Sequence, residues 1–310
     1  MIYLWKLLYR HFTRSLDKKA ALWTLFLSAV LIVLNYKLDY EKYFLHPNQN
    51  NFPGWITFWI YYMLIYLLVL IPVLHFQAQL YKLKKAEFWI KISVFLGIIA
   101  CQRNFDLYKM DNHAIDYYLN QYYNSLMLHV ELFLFLFPAL FLLWLIYDRR
   151  QDVLYGLRFR DSYALKFFTL IIFVIPLVVW ASSRPEFLEM YPRFKFWLYP
   201  HFEGISKFWM TAFWELLYGL DFFSTEWLYR GALVIGLSSL LGKESLWPMV
   251  AVYVAIHFGK PSAECISSFL GGYILGVFAL QLKSIWGGVI IHLLLAWLME
   301  LGAALYYFFH

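Results

Sequence analysis

Six stretches of this chain run for 17 residues or more on almost nothing but apolar side chains. They are Ala20–Tyr36, Trp55–Leu74, Leu126–Tyr147, Phe167–Ser183, Cys265–Leu282 and Ile285–Phe309. A helix of about 20 such residues matches the hydrocarbon thickness of a bilayer. A water-soluble fold of 310 residues has no place for six of them, because it could not cover them with polar surface. Composition agrees: 62% of residues are apolar and 15% charged, against roughly 45–50% and about 25% in soluble domains. The expectation is an all-α, polytopic transmembrane bundle.

Weaker segments complete the count. Phe88–Gln102 carries Lys91, and Phe208–Gly242 carries Glu215, Asp221, Glu226 and Arg230. Leu246–Phe258, at 13 residues, is too short for a simple span. Eight to ten helices are expected. Residue-by-residue alternation of apolar and polar side chains is absent, which argues against a β-barrel, and no fixed-period repeat is visible. Cys101 and Cys265 are too few for a disulfide framework or a zinc finger. The first 20 residues spread their charges and lack a small-residue cleavage site, so no cleaved signal peptide is expected.

The net charge of +6 sits in loops. Lys6, Arg10, Arg14, Lys18 and Lys19 precede the first apolar run. Lys82, Lys84 and Lys85 follow the second, and Arg149, Arg150, Arg158 and Arg160 follow the third. Lys37–Gly54 and Arg103–Asn124 are neutral or slightly acidic. Basic loops stay cytoplasmic, so the N-terminus is expected inside. The charge then belongs to a membrane surface and calls for no nucleic-acid partner.

Ionisable groups at bilayer depth cost at least about 2.5–3.5 kcal/mol each and mark functional positions. The first half offers His129 and Glu131. The second half offers Glu215, Glu226, Arg230, His257, Glu264, His292 and Glu300. Glu226 and Arg230 stand four apart, one helical turn, and can pair. A salt bridge that lets two charges sit in lipid is the commoner meaning of such a pair. The functional alternative is a carboxylate held ionised and oriented to act on water. His257 precedes Gly259 and Pro261, a helix break, and by itself reads as an interfacial histidine. Glu264 falls in the first turn of the next helix, where the dipole favours a carboxylate, and Lys260 can snorkel. His292 lies deep in an apolar run and needs a polar partner or a cavity. Together, one Glu–Arg pair and two histidines on three apolar segments could meet in one wet pocket.

The order and context of these pieces resemble the CPBP family of intramembrane proteases, which includes the CAAX prenyl proteases and bacteriocin-processing enzymes. That family's pattern is E-E-x-x-x-R, then F-x-x-x-H, then H-x-x-x-N/D. Here the motifs read Thr225-Glu226-Trp227-Leu228-Tyr229-Arg230, Tyr253-Val254-Ala255-Ile256-His257 and His292-Leu293-Leu294-Leu295-Ala296. Between the second and third stand a glycine-rich helix over Phe269–Gly276 and the element Ser284-Ile285-Trp286. The resemblance covers about the last hundred residues. It divides the chain into helices without a motif, 1–204, and a core, 205–310. It departs from the family at Thr225, where the first glutamate would stand, and at Ala296, where the last asparagine would stand. A single-glutamate branch carries H-x-x-K-P-x-x-E, matched here by His257, Lys260, Pro261 and Glu264.

The resemblance implies hydrolysis of a peptide bond of a membrane protein or peptide substrate, by direct attack of water and in a bacterial plasma membrane. Glu226 or Glu264, with His257, would activate the water. Arg230 would position Glu226, Lys260 would assist, and His292 would stabilise the oxyanion. No metal is expected, since the spacing is not a helical H-E-x-x-H. Zinc held by His257, His292, Glu226 and Glu264 is the alternative. Thr225 and Ala296 keep a second possibility open, a non-catalytic scaffold or regulator on the same fold. An ion pathway that includes His129 and Glu131 ranks third.

Overall fold

A computed structural model describes residues 2–45, 47, 49–105, 116–150, 153–159, 166–200 and 206–309. Among these the chain is all helical, with twelve α-helices and no strand. The boundary expected at 204/205, Arg160, and residues 106–115 of the second neutral loop lie outside the described residues.

Five helices are long and apolar enough to cross a membrane, and the chain is an integral membrane protein. α1 (Ile2–Arg10) is short. α2 (Lys18–Leu38) starts where the Asp17 carboxylate accepts from the N–H groups of Lys19 and Ala20. It ends at Asp39 in the left-handed region, φ 46°. α3 (Phe52–Phe76) is capped by Asn51, and α5 (Tyr117–Leu143) by Asp116. α4 (Ala86–Asn104) runs unbroken through Lys91. α11 (Ser262–Leu282) and α12 (Trp286–Phe309) close the chain.

One expected span is not continuous. Within Phe167–Ser183 the chain makes a 3₁₀ turn at Ile171–Phe173, then α6 (Ile175–Ala181), and α7 (Pro185–Met190) follows. Pro176 stands in the first turn of α6, where its missing N–H costs nothing and its fixed φ suits a helix start; Pro72 and Pro138, by contrast, stand inside the continuous α3 and α5. The Phe208–Gly242 stretch behaves in the opposite way. α8 (Lys207–Glu226) runs directly into a π-helical segment, Trp227–Gly236, and a single turn, α9 (Ser238–Leu241), follows.

α10 (Leu246–Ala255) is the short segment, and all ten of its residues are buried. It packs against α2, α3, α11 and the π segment. The first-half helices therefore wrap the element that leads to His257. α5 and α8 run side by side in the same direction: the Tyr122 hydroxyl donates to the Met210 carbonyl at 2.8 Å, Phe133 meets Phe223, and Phe137 meets Trp227. α12 lies against α8 on the other side.

Candidate active site

Glu226 is the last residue of α8, and Arg230 is four residues into the wider winding that follows. π-helical turns are rare and concentrate at functional positions. Here the winding carries the guanidinium back over the carboxylate, with Arg230 Nη1 2.9 Å from Glu226 Oε1. Both residues are 0% exposed. The contact is an ion pair by distance only, because Nε, Nη1 and Nη2 of Arg230 have no hydrogen-bond partner among the described residues. The guanidinium carbon instead sits 4.0 Å above the Tyr253 ring, a desolvated cation–π contact worth on the order of 2 kcal/mol.

α12 supplies the next group. His292 Nδ1 lies 2.9 Å from Glu226 Oε1. A carboxylate can only accept, so this nitrogen carries the proton and donates it. Glu226 Oε2 has no partner and faces Gly288, one turn before His292. A Cβ at Gly288 would stand 2.1 Å from that oxygen. Only a glycine lets the carboxylate lie against α12 this closely.

α10 supplies the third group. His257 stands in the turn after α10, where its Nδ1 lies 2.7 Å from the Tyr253 carbonyl. That carbonyl is also only an acceptor, so Nδ1 is again the protonated nitrogen and Nε2 keeps its lone pair. Burial, then the nearby Lys260 ammonium, holds this imidazole well below the usual histidine range. The ring is therefore neutral at neutral pH, as a base must be. Gly259, at φ +80°, makes the turn possible.

The turn is held from outside the second half. The Tyr36 hydroxyl, near the end of α2, donates to the Lys260 carbonyl. Tyr40 packs edge-on against Phe258 and shares a hydrogen bond with Tyr61 of α3. Sequence reasoning assigned the first half no role here, since nothing in its residue types points across 224 positions.

Glu264 lies at the rim of this arrangement. Lys260 Nζ donates to it at 2.6 Å. It is not bonded to Glu226 or to either imidazole. Lys260 accordingly meets Glu264 through its side chain and Tyr36 through its carbonyl.

The other expensive residues stand elsewhere. Glu300 accepts the one backbone N–H of Arg193 on both oxygens, at 2.9 and 2.8 Å, and that of Phe194 at 3.5 Å, pinning the 191–199 segment to α12. Glu215 lies eleven residues before Glu226, about 16 Å along the helix. Its neighbourhood includes Trp297, whose indole N–H donates to the Glu215 carbonyl. Glu131 is buried on α5. His129, 3% exposed, lines a cavity of about 670 Å³ together with Tyr118, Gln121, Arg193, Phe194 and Trp214. Its nearest carboxylate oxygen is on Asp221, 3.6 Å away. Ala296 packs in the apolar cluster of Tyr122, Met210, Trp214 and Tyr218, and Thr225 brings no carboxylate to the site.

Among the described residues, no three His, Cys, Asp or Glu side chains are grouped to hold a metal. The Glu226–His292 contact is a hydrogen bond of 2.9 Å. What the arrangement can do is acid–base chemistry: one carboxylate fixes one imidazole, and a second imidazole presents a lone pair nearby. Tyr253 touches all three helical elements of the site and was noted in the sequence only as a departure from phenylalanine. No protein-family model, curated protein or solved structure matches the chain.

Proposed function

We propose that this chain is an intramembrane endopeptidase of the CPBP type, hydrolysing peptide bonds of membrane-associated proteins by imidazole-activated water. The observation that carries the reading is the meeting of Glu226, Arg230, His257 and His292, from three separate stretches of sequence, around one tyrosine. His257 Nε2 takes the proton from water as its oxygen attacks the carbonyl carbon. The carbonyl electron pair moves to oxygen. When the carbon–nitrogen bond breaks, the same imidazole returns its proton to the departing amine. Glu226 does not meet the water in this scheme: it is fully buried, Oε1 already serves His292 and Arg230, and Oε2 lies against Gly288 of α12. Its task is to fix the tautomer and orientation of His292, while Arg230 holds the same oxygen at 2.9 Å. In the cell, a bacterial plasma membrane with the N-terminus in the cytoplasm suits the basic loops.

The test compares N- and C-termini of membrane proteins in cells carrying the wild type or Glu226→Gln at matched expression. Precursors that remain uncut only in the variant are the expected result, and identical termini would overturn the reading. A smaller effect is expected at the turn. Tyr36→Phe deletes one hydrogen bond to the Lys260 carbonyl, worth about 1 kcal/mol, so cleavage of those precursors should slow by about fivefold. An unchanged rate would mean the His257 turn holds its shape without α2.

A non-catalytic scaffold is the second reading. The complete burial of the Glu226–Arg230 pair favours it, together with Thr225 and Ala296. It requires that Glu226→Gln leave every terminus unchanged.

A further inference from the structure

The two imidazoles of the site share a limitation. A neutral imidazole carries one N–H, and both rings have already used theirs: His257 on the Tyr253 carbonyl, His292 on Glu226. Neither can also give a hydrogen bond to an oxyanion while it is neutral. The Arg230 guanidinium carbon lies 4.0 Å over the Tyr253 ring and the residue is 0% exposed, behind a tyrosine that is 3% exposed. Ala296 offers no donor and faces an aromatic cluster. Hydrolysis nevertheless needs a donor aimed at the oxygen on which charge develops.

The hydroxyl of Tyr253 meets that need. It lies 3.4 Å from His292 Nε2, a long contact that a small rotation of the O–H would release. The His257 ring stands 4.7 Å from the Tyr253 ring, edge-on, so one tyrosine contacts both imidazoles, His292 through its hydroxyl and His257 through its ring. The ring beneath it is fixed on every side: Arg230 on one face, Tyr229 at 5.2 Å, and Gly272 of α11, where a Cβ would come within 2.9 Å of the ring. A phenol held this firmly costs little to reorganise during a reaction. The guanidinium above it also favours any negative charge that gathers on the phenol oxygen.

We propose that Tyr253 is a catalytic residue, its O–H donating to the carbonyl oxygen of the scissile peptide as water adds. This rests on the hydrolase reading above. The proton stays on the tyrosine oxygen throughout, so no further acid or base is required. His292 is then the group that parks the hydroxyl between turnovers, oriented by Glu226, and is not itself the oxyanion donor.

Tyr253→Phe removes the oxygen and keeps the ring, the Arg230 contact and the packing. The precursors that accumulate in Glu226→Gln cells serve as substrates. Tyr253→Phe should cut them about 100- to 1000-fold more slowly, the loss expected for one oxyanion donor, while its thermal unfolding in detergent stays within about 2 °C of wild type. Cleavage at the wild-type rate overturns the proposal, and so does a loss of cleavage that comes only with loss of the fold. Identical termini in wild-type and Glu226→Gln cells overturn the hydrolase reading itself, and the tyrosine's role with it. A second variant places 3,5-difluorotyrosine at position 253 by codon suppression. Its more acidic phenol gives up the O–H at lower pH, so the alkaline limb of the cleavage profile should move down in pH. A packing role would leave that limb unmoved, and an unmoved limb overturns the proposal.

Discussion

Gly288→Ala, a change of one methyl group, should silence the site. The added carbon would stand 2.1 Å from Glu226 Oε2 and 2.9 Å from Cδ. Real carbon atoms do not approach so closely, and the carboxylate has nowhere to go. It is fully buried and its other oxygen is held by His292 and Arg230. Two effects compete. Alanine gains about 1 kcal/mol of helix propensity over glycine. Overpacking costs about 1–3 kcal/mol, and a shift of about 1 Å at a reacting group can cost on the order of 100-fold in rate. The expected result is a modest loss of thermal stability in detergent with a loss of precursor cleavage of 100-fold or more. Gly271→Ala is the control. A Cβ there meets nothing within 4 Å, so only the helix-propensity gain remains, and stability should rise slightly with cleavage unchanged. If Gly288→Ala cleaves normally, Glu226 is free to move and its fixed orientation has no part in the chemistry.

What could be read from residue types alone divides along a physical line. The membrane spans were legible because apolar runs report burial in lipid directly, but their starts were not: the caps Asp17, Asn51 and Asp116 begin helices ahead of the expected Ala20, Trp55 and Leu126. The meeting of Glu226, Arg230, His257 and His292 was legible as a cost: charges at that depth must find each other. Glu300 obeyed the same cost rule but found backbone N–H groups instead, and a carboxylate in sequence does not say which partner it will take. The break in Phe167–Ser183 was not legible, because a proline in an apolar run stands at the start of a helix at Pro176 yet inside one at Pro72 and Pro138. Gly288, Tyr253 and Tyr36 were out of reach for another reason. Their importance lies in distances to residues 39 to 224 positions away, and a glycine or a tyrosine in an apolar segment has many ordinary uses.

Lys91→Met should cost about 3–5 kcal/mol of stability, the toll for removing one partner of a buried ion pair. Lys91 is 0% exposed in the middle of α4, which looked too charged to cross the bundle easily. It is tolerated because its ammonium reaches Glu87 at 2.6 Å and Asp148 at 2.7 Å. Asp148 is itself buried and accepts from the Tyr155 hydroxyl at 2.8 Å. Tyr155 in turn packs on the π segment so closely that a Cβ at Gly236 would lie 2.6 Å from its ring. The chain of contacts therefore runs from α4 to the element that carries Arg230. With methionine at 91, Asp148 keeps one neutral hydrogen bond and no counter-charge. Thermal unfolding in detergent reads the loss. The double variant Lys91→Met, Asp148→Leu removes both charges and should recover most of it, since a buried pair replaced by apolar side chains of similar size is often neutral. A double variant no more stable than the single one would show that Tyr155, left without Asp148, is what the π segment depends on. Full stability in Lys91→Met alone would mean that the bundle around α4 tolerates an unpaired Asp148, and that the ion pair contributes nothing to holding Arg230 in place.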